Sequence, residues 1–317
     1  MTKDKTNHTT KKPKHLKQIK PYSVVRRFDA ALLESTHVLA DGIFRPLNTA
    51  KRSSFHIKKE VIYCVGKEEK GFIKVGIEWR GIQLDVKDQQ VFLAIVRLIS
   101  EKDRRILATD EEADPLRAIV ENVMLGKKQE GSSIGVAPTS LYEVCKLAGL
   151  AKSGANFKAV QDSIKRLMCT VCWISEIKDG KPYRETEKSF RLIADYEMLN
   201  GQLYVGISPL LTNAILGNLP HAIIDMPSMR QVRGDVAKRL HMWLSTWASY
   251  DKNSDILIDT LVGHVWGDTG PTNEELWQRR HKVKKALTQI AKLEGWTVEL
   301  IDSVNNKYRI SKPKYVA

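Results

Sequence analysis

Two groups of residues have types and spacings that could do chemistry. Cys169 and Cys172 stand as C-x-x-C, a spacing shared by zinc sites and redox thiols. A structural zinc ion takes about four ligands, and neither a second C-x-x-C nor an H-x-x-x-H accompanies the pair. With Cys64 and Cys145 they complete the four cysteines of the chain. Their apolar neighbours favour ordinary core or edge thiols over a metal centre. The second group lies near the carboxyl end. At about 100° per residue, Leu276, Val283, Leu287 and Ile290 share one stripe of a helix expected over 272–293. Opposite them stand Gln278, His281, Lys282, Lys285, Gln289 and Lys292.

Amide, imidazole and ammonium groups on one helical face can reach base edges in the major groove of B-DNA, usually from the N-terminal half of the helix. Gln278, His281, Lys282 and Lys285 are therefore the candidate base-reading set. Arg279 and Arg280 flank the apolar stripe and, with Lys284, suit phosphates on the groove walls. Lys307, Arg309, Lys312 and Lys314 follow on the next strands and could hold the same backbone. A cationic helix face can also be merely solvated, so its setting has to decide.

That setting is a repeated pattern. Strands are expected between 55 and 79, clearest at Phe72, Val75, Ile77 and Trp79, then a helix over 86–100 with Val91, Ile95, Leu98 and Ile99 on one face. Residues 101–137 read as a connection with one helix near 115–125. Thr139 or Ser140 caps a short helix; a second runs over 156–168; a strand at 171–177 enters Lys178-Asp179-Gly180-Lys181, a hairpin turn, and returns at 189–194. Helix, turn, helix and hairpin make a winged helix-turn-helix. A strand at 203–207 and a helix at 209–216 close this half. The order then recurs: a long helix over 228–249, a short one capped by Asp259, a turn at 267–271, a helix opened by Thr272 and Glu275 at capping-box spacing, and strands at 296–301 and 307–310. The expected fold is α+β: a basic flexible tail (1–35), a first winged-helix domain (36–218) and a second (219–317).

The second helix of the first unit shows Lys158, Asp162, Lys165 and Arg166 outward. Lys158, Lys165 and Arg166 are candidate backbone contacts, though the mixed signs equally suit a protein interface. His221, His241 and His264 stand singly and read as structural.

The net charge of +14 attracts polyanions. Residues 1–27 hold Lys3, Lys5, Lys11, Lys12, Lys14, Lys17, Lys20, Arg26 and Arg27 against Asp4 alone, as a solubilising extension or a DNA-contacting arm. No stretch has the length and apolarity of a membrane span or signal peptide, so the expected location is cytoplasmic, with no membrane partner. There is no G-x-x-x-x-G-K-[ST] phosphate loop for ATP-driven unwinding, no histidine pair of a nicking nuclease, and no carboxylate cluster of a two-metal polymerase. The expectation is double-stranded DNA as partner, with neither catalysis nor cofactor.

The strings "IDTLVGHVWG", "RRHKVKKAL", "GWTVE" and "KYRISKPK", with "LADGIFRPL", "IKRLMCTVCWI" and "FRLIADYEMLNGQLYVGISPLLTNAILG", occur in this order from about residue 36 to the end. Together they resemble the RepC-type replication initiators of IncQ-like broad-host-range plasmids. The resemblance implies two winged-helix domains that bind repeated origin sites (iterons), help open AT-rich DNA and recruit a plasmid-encoded helicase. The first domain would then offer an interface either to that helicase or, by self-association, to another copy. The resemblance also places the DNA-reading helix on 278–285. A plasmid-encoded winged-helix repressor would use the same fold; an initiator that nicks DNA would be an enzyme of another class.

Overall fold

The computed structural model describes residues 24–26, 29–34, 41–47, 52–65, 71–101, 106–107, 135–178, 181–182, 187–219, 221–250 and 253–316. The helix expected near 115–125, the Asp179-Gly180 turn and the basic residues up to Lys20 lie outside them.

The chain opens with β1 (Val24–Arg26), β2 (Ala30–Glu34), β3 (Phe44–Arg45), the long strands β4 (Ser54–Val65) and β5 (Gly71–Ile82), and β6 (Leu84–Asp85). Helix α1 (Val86–Ser100) follows, then β7 (Ile106–Leu107), β8 (Gly135–Thr139), α2 (Leu141–Leu147) and α3 (Gly154–Met168). Next come β9 (Val171–Lys178), β10 (Lys181–Pro182), β11 (Lys188–Arg191), β12 (Ile193–Leu199), β13 (Gln202–Ile207), α4 (Pro209–Ile215), β14 (His221–Asp225) and α5 (Met226–Gln231). The remainder is α6 (Asp235–Trp247), β15 (Ser254–Leu257), α7 (Ile258–Trp266), α8 (Asn273–Ile290), β16 (Thr297–Asp302), β17 (Lys307–Ser311) and β18 (Lys314–Val316). The architecture is mixed α+β.

The first unit is built round α1. Its run from Val91 to Val96, with Leu98 and Ile99, is apolar on every side and buried on every side. Asp85 and Asp88 close a reciprocal capping box at its start, each carboxylate accepting the other's backbone N–H at 2.8 and 2.9 Å. Beside it β4 and β5 pair antiparallel, and β9 adds to β5 with Trp79 opposite Cys172. A second sheet runs β12-β13-β8-β7.

Three sequence expectations change here. The flexible tail does not extend to 35, because β2 pairs with β14 and buries Ala31 and Leu33 in the first core. The backbone of β1 also pairs parallel to β18. The boundary expected at 218 moves past α5, since Ile224, Met226 and Met229 pack in that first core while Val232 opens the second. The hairpin expected as a first wing joins β5 through β9, whereas β8, the strand before α2, pairs with β13.

The second unit is simpler. The helix expected over 228–249 is broken into α5 and α6 at Gly234, whose φ of 81° favours glycine. Leu240, Trp243 and Leu244 of α6 pack with Leu261, Val262 and Val265 of α7 and with Val283, Leu287 and Ile290 of α8. The sheet order β15-β17-β16 places the strand before α7 beside the second strand of the terminal hairpin.

A side-chain pair and a backbone contact join the units. His264 Nδ1 lies 2.6 Å from Asp41 Oδ1, with its ring stacked on Trp243 at 3.9 Å. Gly42 and Gly267 meet backbone to backbone: a Cβ on Gly267 would come within 3.1 Å of Gly42 Cα and 2.9 Å of Arg45 Nη2.

Candidate nucleic-acid interface

Helix α8 is built to be held on one side and open on the other. Thr272 Oγ1 accepts from Glu275 N at 3.1 Å and starts the helix. Of the expected capping box only this half is present, because Glu275 accepts from Arg279 Nη2 at 2.5 Å. Val283, Ala286, Leu287 and Ile290 are buried. Gln278, His281, Lys282, Lys284 and Lys285 are all exposed. Over its 18 residues, at about 1.5 Å per residue, the helix offers a polar surface long enough for several base pairs.

Side chains expected to touch phosphates prove instead to fasten α8. Arg279 donates to Asp268 Oδ1 at 2.6 Å and lies over the Trp266 ring at 5.1 Å. Arg280 makes a fork to Asp259, both bonds 2.6 Å. Asp259, expected as a cap, thus sits in the first turn of α7 and ties it to α8. The hydrogen bond from Arg280 holds the Asp259 carboxyl below its usual range. At the far end Gln289, placed by periodicity on the open face, accepts from Arg233 N at 2.7 Å and donates to Arg233 O at 3.2 Å. These bonds fix the angle at which α8 crosses α7 and α6.

The terminal hairpin packs on the same core as α8, through Tyr308 and Ile310. Asp302 Oδ1 accepts from Val304 N at 2.9 Å and Asn305 N at 3.1 Å, and Asn306 takes a φ of 49°, which together close its turn. Its two expected cations share one acid: Arg309 Nε donates to Asp255 Oδ1 at 2.8 Å, and Lys307 Nζ lies 3.3 Å from Oδ2. The Arg309 and Lys307 hydrogen bonds lower the Asp255 carboxyl. Lys314 lies over the Tyr250 ring at 5.4 Å.

Two expected phosphate contacts are corrected. Lys312 turns inward and donates to the Ser245 carbonyl, where burial pushes its ammonium down to about 8. Arg166 pairs with the fully buried Asp88, Nη2 to Oδ1 at 2.7 Å, joining α3 to α1. Both are held by tertiary contacts that a helical or strand period cannot reveal. Lys158 and Lys165 of α3 remain exposed.

The other sequence-marked groups divide between surface and interior, with His221 exposed at the start of β14. Cys169 is exposed at the end of α3 while Cys172 is buried in β9, where desolvation raises its thiol. His241 of α6 is buried against Trp296, its ring 5.5 Å from the indole, and burial depresses its imidazole to about 3. Among the described residues no group of three or more His, Cys, Asp or Glu side chains could hold a metal, and no helix is long and apolar enough to cross a membrane.

One surface residue escaped the sequence reading. Trp277 is 65 % exposed and stacks on His281 with centroids 5.9 Å apart and planes 8° apart. Its signal was available: a tryptophan well away from the apolar stripe of its own helix.

The sequence model of Replication protein C (RepC) matches residues 26–314, from β1 through both units to β18. The chain belongs to the RepC family. No curated protein matches this RepC member. Its fold resembles the crystal structure of domains 2 and 3 of RctB, at 15% identity and a TM-score of 0.51, over 87% of this chain and 96% of that one. A second RctB structure of the same two domains aligns at 14% identity and a TM-score of 0.47, over 87% and 95%. The RepC match includes α8 and the turn that holds it, and the alignment to RctB spans most of both chains.

Proposed function

We propose that this RepC-family chain is a plasmid replication initiator that binds double-stranded DNA sequence-specifically at repeated origin sites. The second unit is read as a winged helix with α8 as recognition helix, Gln278, His281, Lys282 and Lys285 facing base edges and Lys284 a phosphate. The observation that carries this reading is the exposure of those side chains on a helix locked at both ends, in a family of replication proteins. Lys158 and Lys165 of the first unit add backbone contacts, and its remaining surface meets another copy or a plasmid-encoded helicase. Several copies on adjacent repeats would together offset the few kcal/mol of local duplex deformation that opening requires. The chain acts in the cytoplasm and performs no chemistry on DNA itself.

Footprinting the full chain on its own plasmid origin tests this. Periodic protection of direct repeats is the expected result; one isolated operator would point to a repressor. The double variant Lys282→Ala, Lys285→Ala should lose at least tenfold in affinity for the protected repeat, about 1.4 kcal/mol, and unchanged affinity would remove α8 as the reading helix. Incubation of supercoiled origin DNA with Mg²⁺ or Mn²⁺ should leave it unrelaxed; a nicked product would make the chain an enzyme.

A further inference from the structure

Trp277 is a large apolar group held in water. Burying an indole is favourable wherever the fold allows it, and the interior of this unit takes Trp243 and Trp296. Among the large apolar side chains described as exposed, only Val304 is more so. The indole has a ring neighbour nonetheless. His281, one turn along α8, lies parallel to it at 5.9 Å, which restricts the rotamers of both rings.

Its position on the helix is informative. At about 100° per residue, Trp277 lies roughly 90° round from the centre of the set Gln278, His281, Lys282 and Lys285, on the His281 side. It therefore meets the rim of any groove that this set enters, in the N-terminal half of the helix. In the major groove the 5-methyl group of thymine projects near the wall formed by its own strand, and apolar side chains recognise that methyl.

We infer that Trp277 is a specificity-determining residue that packs its indole on a thymine methyl at the groove wall, with His281 as the plate that holds it in place. This rests on the assignment of α8 as the reading helix. The chemistry selected is thymine against any base lacking a 5-methyl group.

The test uses the full chain and the repeat duplex defined by the footprint, with each thymine replaced in turn by deoxyuridine, which removes only the methyl. One position, or two adjacent ones, should weaken wild-type binding on the order of fourfold, the transfer free energy of one methyl group. In Trp277→Ala the same replacements should have no effect, and in Trp277→Phe, which keeps an aromatic plate, the sensitivity should persist. Because the side chain is exposed, thermal melting of each variant should match the wild type. The inference is overturned if deoxyuridine acts equally on wild type and Trp277→Ala, or if Trp277→Ala binds the repeat as the wild type does. The second result alongside lost binding by Lys282→Ala, Lys285→Ala would leave α8 as the reading helix and turn Trp277 towards a protein partner. Full binding by both variants would instead remove α8 itself.

Discussion

Arg280 of α8 and Asp259 of α7 form a two-pronged ion pair in which Nε donates to Oδ1 and Nη2 to Oδ2, both at 2.6 Å. Their side chains are 37 and 41 % exposed, so solvent screening limits the pair to about 1 kcal/mol of stability or less. Its larger effect is geometric, because it sets the crossing of the two helices. Asp259→Ala should lower the melting temperature only slightly yet weaken binding to the origin repeat on the order of fivefold, about 1 kcal/mol. The Arg280 hydrogen bond lowers the folded carboxyl below its unfolded value. The stabilising contribution is thus present above about pH 4 and fades as pH falls through the folded value. Parallel calorimetry and binding titrations check this; equal losses in both would reduce the pair to a purely structural role.

Asp255 neutralises Arg309 and Lys307 on the terminal hairpin. Asp255→Asn releases two cations on the terminal hairpin, which the proposed reading sets against the DNA backbone. General affinity for random-sequence duplex should rise, and the slope of log affinity against log salt should steepen by about 1 to 2, since each new phosphate contact adds roughly 0.9. An unchanged slope would place the hairpin cations away from DNA.

The buried Asp88 accepts from Arg52 Nη1 at 2.9 Å and from Arg166 Nη2 at 2.7 Å, beside its capping bond to Asp85 N. Removing the acid leaves two half-buried guanidinium groups without it. Asp88→Ala should destabilise the first unit by about 3–5 kcal/mol in urea unfolding, and Arg166→Ala by less, because Arg52 remains. The double variant should cost less than the sum. Arg166→Ala should also leave the salt slope of DNA binding unchanged, whereas Lys158→Ala with Lys165→Ala should reduce it. Additive losses, or a shallower slope for Arg166→Ala, would contradict the network.

Lys312 carries its ammonium into the second unit against the Ser245 carbonyl, and burial lowers it from 10.5 to about 8. Between those values the unfolded chain binds the proton and the folded chain does not. Stability should therefore rise as pH climbs from about 8 to 10.5. Lys312→Met should remove that rise and, near neutral pH, stabilise the fold by something of order 1–3 kcal/mol. A flat difference between the two proteins across this range would show the ammonium to be solvated.

The sequence by itself determined the local facts. The stripe of Val283, Leu287 and Ile290 and the opposed Gln278, His281, Lys282 and Lys285 follow from a helical period, and Thr272 follows from the chemistry of a helix start. The order of elements in the second unit is legible for the same reason. Pairings between distant segments are a different matter, because period and propensity carry no information about what lies across an interface. Only the tertiary structure decided that Arg279, Arg280 and Gln289 grip α8 from the side, that Lys312 and Arg166 turn inward, and that β9 joins β5 rather than β8. It also decided that Asp41 meets His264, and that Gly42 and Gly267 bring the two units within a backbone's width. A cation's role depends on which acid or carbonyl stands beside it in space, and that neighbour is a property of the packed fold.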